Sequence, residues 1–352
     1  MKFSALLAIE HFRLIVVGGG TGGCAVASKF SRLSHFKQKK QIAVIEPNIR
    51  HFYQPGFTLA AAGLINPIKL VKNENTLLPK MVEWINNSVE TFSPAENIIA
   101  TGMELRFDLI EGLPNGEKSV LEAPGICSIY FPDGAAKTLA EIRAFSRGQN
   151  AIFSFPNTPI KCGGAPQKFM FRERGVRNVE ADRKIATFQK LDENGQVING
   201  NDVEFKYNLL HIGAPCSPVS VLRNYAKQKE NKLTDIQGFV KVNPKTLQSE
   251  EYKNIFAIAS QLKVLTFNLR AQIEGKNSTI SYDGYSSCPL LTDRKRVILA
   301  EFNTDGPSET FPFDQSKPRR ISYLLKRYLM PPLYWHLLIR GYWLGPEKNK
   351  II

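Results

Sequence analysis

The short apolar run Leu14-Ile15-Val16-Val17 ends in Gly18-Gly19-Gly20-Thr21-Gly22-Gly23, and no other stretch of the chain restricts its fold as tightly. A strand that stops at Gly-x-Gly-x-x-Gly and runs into a helix is the dinucleotide-binding fingerprint. Gly18 permits the tight turn, Gly20 lets a pyrophosphate approach the backbone, and Gly23 lets helix and strand pack closely. The amides and positive dipole end of the following helix then face the phosphates. Alone the glycine pattern is weak. Here a helix-compatible stretch from Cys24 to Leu33 follows, and then a second buried-type strand, Ile42-Ala43-Val44-Ile45, which ends at Glu46. A carboxylate there is placed to accept hydrogen bonds from ribose hydroxyls. The order strand, glycine turn, helix, strand opens a doubly wound α/β fold.

Further strands are predicted at Asn97–Thr101, Ala151–Phe155, Leu209–Ile212, Phe239–Val242, Ile255–Ala259 and Arg296–Phe302. The tail changes character. Ile321, Leu324, Leu325, Tyr328 and Leu329 recur at helical spacing, with Arg320, Lys326 and Arg327 expected on the opposite face. Pro331-Pro332 is expected to break that helix. Leu333 to Tyr342 is then apolar nearly all round, with Trp335 and Trp343 near its ends.

The chain has 352 residues and a net charge of +14, enough length for two domains and enough charge to attract polyanions. The densest basic run, Lys317 to Arg327, is interleaved with aromatic and apolar residues, which suits a lipid headgroup surface better than a nucleic-acid groove. Five cysteines, at 24, 127, 162, 216 and 288, lack CxxC spacing, and five histidines are dispersed. A disulfide scaffold or a metal site is therefore not expected. Cys24 reads as packing within the first helix, and Cys127 and Cys216 as incidental. No run of 18 apolar residues exists, and Met1–Glu10 shows neither a secretory nor a transit-peptide pattern.

Several longer segments resemble one family, the mitochondrial sulfide:quinone oxidoreductases. They are Val44-Ile45-Glu46-Pro47, His51-Phe52-Tyr53-Gln54-Pro55, the run from Phe155 to Lys168 that contains Lys161-Cys162-Gly163-Gly164, Tyr282 to Leu290 with Ser287-Cys288-Pro289, Phe311 to Lys317, and the tail from Leu329 to Trp343. The resemblance implies an FAD/NAD(P)-binding Rossmann-like α/β fold with a second dinucleotide-like domain and a C-terminal membrane-surface helical segment. It implies bound FAD, held by Gly18, Gly20, Thr21, Gly22, Gly23 and Glu46, with Gln54, Val89, Thr101 and Gly102 also on the cofactor. It makes Cys162 and Cys288 the redox pair. Sulfide opens their bond and leaves a persulfide on Cys288; Cys162, freed as a thiolate, turns to the flavin. Sulfur then passes to glutathione or sulfite, and electrons pass to ubiquinone. A thiolate is the required nucleophile, and Lys161 and Lys168 could lower the pKa of Cys162. The family's location, peripheral on the mitochondrial inner membrane, comes with the resemblance.

The resemblance divides the chain into an FAD-binding part at 1–110, a shortened second dinucleotide-like part with Cys162 at 111–232, a return to the FAD-binding domain at 233–280 and a C-terminal part with Cys288 and amphipathic helices at 281–352. The second unit is reduced: 168–209 is polar and basic and offers no βαβ pattern, which needs ~30 or more residues. Trp84 to Gly102 is also shorter than the family pattern. The family's late Gly-Asp is replaced by Ala259-Ser260, and its alanine-rich following helix by Gln261–Asn268. A second reading follows, a member that keeps the outline of the fold but binds FAD poorly and does not catalyse. A different disulfide reductase or an NADH dehydrogenase is disfavoured, because CxxC and a second GxGxxG are both absent.

Overall fold

The computed structural model describes residues 11–345 apart from 39, 93–96, 157, 162–173, 192–196, 259–260, 278–279 and 294. Cys162, Lys168, Ala259 and Ser260 therefore lie outside the described residues.

The N-terminal apolar runs form a five-stranded parallel sheet. In chain order its strands are β1 (Leu14–Val17), β2 (Ile42–Ile45), β3 (Val82–Ile85), β4 (Asn97–Ile99) and β5 (Ile255–Ala257), and they lie side by side as 3-2-1-4-5. That order is half of a doubly wound fold, with its switch point at β1 and the glycine turn at the carboxyl edge beside it. Near-continuous Val and Ile runs suit strands covered on both faces; Val16, Ala43, Val44 and Ile98 are fully buried. Helix α1 (Thr21–Phe30) covers one face. Helix α3 (Leu262–Ile273) packs beside it. Thus Gln261–Asn268, read as replacing the family's helix, still winds helically; Val264, Leu265 and Leu269 supply its buried side.

The second unit is smaller. Three very short strands, Ile126–Cys127, Leu209–His211 and Ala151–Phe153, form a parallel sheet with Leu209–His211 in the centre. Helix α2 (Pro132–Ala144) accompanies it. The stretch without a βαβ pattern forms an antiparallel meander instead, Arg174–Glu180, Ile185–Leu191 and Val197–Lys206. Phe239–Val242 makes only isolated bridges through Val240 and Val242, because its neighbours turn away after one pairing each.

Cys288 sits in the strand Ser286–Asp293, paired antiparallel with Arg296–Asn303. The tail departs from expectation twice. Pro331-Pro332 does not break the helix: winding continues from Arg320 to Leu338, with wider π-type turns at Leu325–Leu329 and Leu333–Leu338. Such turns relieve the ladder where proline supplies no N–H. Lys326, expected on a solvated face, is buried and donates to the Pro289 carbonyl at 2.7 Å. Ile321, Leu324, Tyr328 and Leu329 point outward and are exposed, so the apolar stripe faces away from the core. Among the described residues no helix is long and apolar enough to cross a membrane.

Candidate functional site

A cleft of about 620 Å³ runs along the carboxyl edge of the parallel sheet. Gly18, Gly19, Gly20 and Thr21 form one wall, joined by Glu46, Gln54, Val89 and Thr101. The expected cofactor residues therefore converge, except that Gly22, Gly23 and Gly102 do not line the cleft. Two of the three fingerprint glycines, Gly18 and Gly23, have the close backbone contacts that their spacing implies. Gly18 has φ +103°, and a Cβ there would lie 2.5 Å from the Ala100 carbonyl oxygen. A Cβ on Gly23 would collide with the Gly18 carbonyl. Gly20 instead faces open space, where a phosphate can approach. Glu46 Oε2 accepts the Gly19 N–H at 2.8 Å, and Oε1 accepts from Asn48. A carboxylate has about four acceptor positions and three are taken, so Glu46 keeps capacity for one ribose hydroxyl.

Glu117, Tyr130, Phe131, Asp133 and Lys161 also line the cleft. Lys161, the neighbour of Cys162, has its pKa lowered by burial; Cys216 and Glu117 nearby pull the other way. Burial pushes the Glu117 carboxyl up, against the attraction of Lys161. Cys216, read as incidental, thus shares this electrostatic setting, and burial raises its thiol. Cys127 is inert by contrast, its thiol pushed up to about 12 by burial. Cys288 is partly exposed and does not line the cleft.

Beside the glycine turn lies a group that sequence reasoning missed. The Cys24 thiol donates to Glu74 Oε1 at 2.9 Å and to the Gly19 carbonyl at 3.2 Å. His51 Nδ1 lies 2.9 Å from Glu74 Oε2. The Tyr334 hydroxyl is 2.6 Å from His51 Nε2 and 2.8 Å from Thr21 Oγ1, which ties the C-terminal segment to the turn. Cys24 does pack within the first helix, as expected, but its sulfur also belongs to this polar group. Glu74 carried no motif, and only the match at His51-Phe52-Tyr53 marked the neighbourhood.

No protein-family model matches the chain. Individual proteins do. The mitochondrial sulfide:quinone oxidoreductase of Mus musculus is 34% identical, covering 96% of this chain and 89% of its own length. Those of Dictyostelium discoideum and Schizosaccharomyces pombe are 32% and 30% identical, covering 96% and 97% of this chain. The mouse alignment runs to 418 positions although the chain has 352 residues, so the relative carries segments with no counterpart here. Among solved structures, the sulfide:quinone oxidoreductase of Aquifex aeolicus has a TM-score of 0.70 at 17% identity, covering 96% of this chain and 93% of that one. A chain in the cryo-EM structure of the Tetrahymena thermophila mitochondrial ATP synthase has a TM-score of 0.74 at 15% identity, covering 99% of this chain and all of that one. At such identities these two likenesses speak for the fold.

Proposed function

The chain belongs to the sulfide:quinone oxidoreductase family, and from that premise we propose that it binds FAD and oxidises hydrogen sulfide at the expense of ubiquinone. The observation that carries this reading is 34% identity to the mouse enzyme across 96% of the chain. The cleft supports the cofactor. Gly18 to Thr21 would hold the pyrophosphate and Glu46 the ribose, with Gln54, Val89 and Thr101 along the remaining wall. Gly22, Gly23 and Gly102 shape the turns behind it. FAD, when bound, accepts two electrons and passes them to the quinone.

Cys162 and Cys288 are proposed as the redox pair, joined by a disulfide at rest. Hydrosulfide attacks Cys288, the S–S bond breaks, and Cys288 becomes a persulfide while Cys162 leaves as a thiolate. The electron pair ends on ubiquinone, which takes up two protons, and the sulfane sulfur goes to a small acceptor such as glutathione or sulfite. Lys161, the half-buried sequence neighbour of Cys162 in the cleft wall, is suited to favouring that thiolate. The outward stripe of Ile321, Leu324, Tyr328 and Leu329 supports docking on a mitochondrial inner-membrane surface, since a core helix would bury it. Replacing Ile321 and Leu324 by Ser should weaken co-sedimentation with anionic vesicles by about tenfold or more; undiminished binding would refute that surface.

A second reading is a non-catalytic member that binds FAD poorly. It is favoured by the segments that the mouse relative has and this chain lacks. One experiment separates the two. The detergent-extracted chain is purified and its flavin absorbance recorded, then sulfide is added without oxygen, followed by a ubiquinone analogue. Bleaching by sulfide and recovery with quinone, both lost in Cys288→Ser, is the expected result. A folded, colourless chain selects the second reading.

A further inference from the structure

We propose that Cys24, His51 and Glu74, closed by the carbonyl of Gly19, form a site for a thiophilic divalent cation of the zinc class, separate from the redox cysteines. The three side chains come from different elements: Cys24 from α1, His51 from the strand Arg50–Phe52, and Glu74 from the one-turn helix Glu74–Thr76. Their ligand atoms all lie within 4.8 Å of one another. Sulfur to carboxylate is 2.9 Å, imidazole Nδ1 to carboxylate 2.9 Å, and sulfur to Nδ1 4.0 Å. The Gly19 oxygen is 3.2 Å from both the sulfur and Nδ1. A tetrahedral ion with bonds of ~2.0–2.3 Å sets its ligands roughly 3.3–3.8 Å apart. The observed separations bracket that range, so shifts of a few tenths of an ångström would complete the cage.

The setting is built for such an ion. Cys24, His51 and Glu74 are 0%, 4% and 1% exposed. A carboxylate buried this deeply requires compensation. One divalent cation with a thiolate, a carboxylate and a neutral imidazole sums to zero charge. Binding releases the thiol proton and the proton shared by His51 and Glu74, both to solvent. His51 would ligate through Nδ1, leaving Nε2–H to donate to Tyr334, whose hydroxyl then donates to Thr21. That outer chain fixes the tautomer and plane of the ring. Gly19 is required as well: a Cβ there would sit 2.7 Å from Glu74 Oε1. His51 and Glu74 line the cleft and give an ion its way in. One sulfur and one imidazole select zinc over magnesium or calcium. A bound ion would clip three elements around the glycine turn.

The test is zinc retention. The full chain is purified, loaded with zinc, dialysed against metal-free buffer and assayed for metal per chain by mass spectrometry. Wild type and Cys288→Ser should each keep about one zinc, which separates this site from the redox pair. Cys24→Ser and Glu74→Gln should bind zinc at least about tenfold more weakly. Zinc retained equally in the wild type and Cys24→Ser, or in neither, overturns the proposal. Should those variants not fold, the Cys288→Ser chain serves alone. Cadmium should then produce a thiolate-to-metal charge-transfer band, and zinc but not magnesium should raise its melting temperature. Absence of both effects rejects the site.

Discussion

The two parallel sheets obey one construction rule at different scales. The first has five strands in the order 3-2-1-4-5, a full helix behind its glycine turn and buried residues throughout. The second has three strands of two or three residues, and an antiparallel meander occupies the stretch that offered no crossover. The first sheet depends on backbone closeness at the fingerprint glycines, so it tolerates little change. The second brings Tyr130, Phe131 and Lys161 to the same cleft. The short strands and the meander thus belong to the second unit, while the glycine turn of the first keeps its close backbone contacts.

The contrast can be broken most sharply at Gly23. Gly23→Ala forces a methyl into the Gly18 carbonyl, and we expect a loss of about 4 kcal/mol or more together with any bound flavin, read by thermal unfolding and absorbance. A stable, flavin-retaining variant would mean that the turn is looser than described.

An intermediate effect is expected in the second sheet, at His211. The ring is fully buried, and burial lowers its pKa to about 4; its Nε2 accepts the Ile129 N–H at 3.2 Å. The unfolded chain, with a His pKa of about 6.5, therefore takes up the proton first. Stability is complete above about pH 6.5 and falls as pH drops toward about 4, by roughly 3 kcal/mol in all. Denaturant titrations at several pH values, with His211→Gln as reference, measure this. Identical slopes in the two proteins would show that His211 does not set the acid limit.

The smallest effect is assigned to Gly125, at φ +75° with the Asn208 carbonyl 2.6 Å from a would-be Cβ. Gly125→Ala should cost about 1–3 kcal/mol and leave flavin content unchanged. Flavin loss as large as that of Gly23→Ala would erase the distinction between the two sheets.

What the sequence made legible was local. The apolar runs, the glycine spacing and Glu46 lie within about thirty residues of one another, and period and spacing suffice to read them. The late strand Ile255–Ala257 was also readable, although only the fold shows that it lies beside Asn97–Ile99. Long-range convergence was not legible. Cys24, His51 and Glu74 are ordinary residues in three separate segments, and only the closing of the sheet edge gathers them. Helical periodicity in the tail was correct, but periodicity does not say which face turns inward: Lys326 went in and Leu324 came out. The proline pair misled because local rules describe α-winding, whereas the chain adopted wider turns around it.

One side chain joins the tail's two roles. The helical run that presents Ile321 and Leu324 outward also carries Tyr334, whose hydroxyl holds Thr21 and His51. Whatever that stripe rests on sets the attitude of the run, and the tyrosine passes that attitude to the turn where a pyrophosphate would lie. If the proposed membrane docking holds, rocking of the molecule on that surface would be felt at its own cradle through this one hydroxyl.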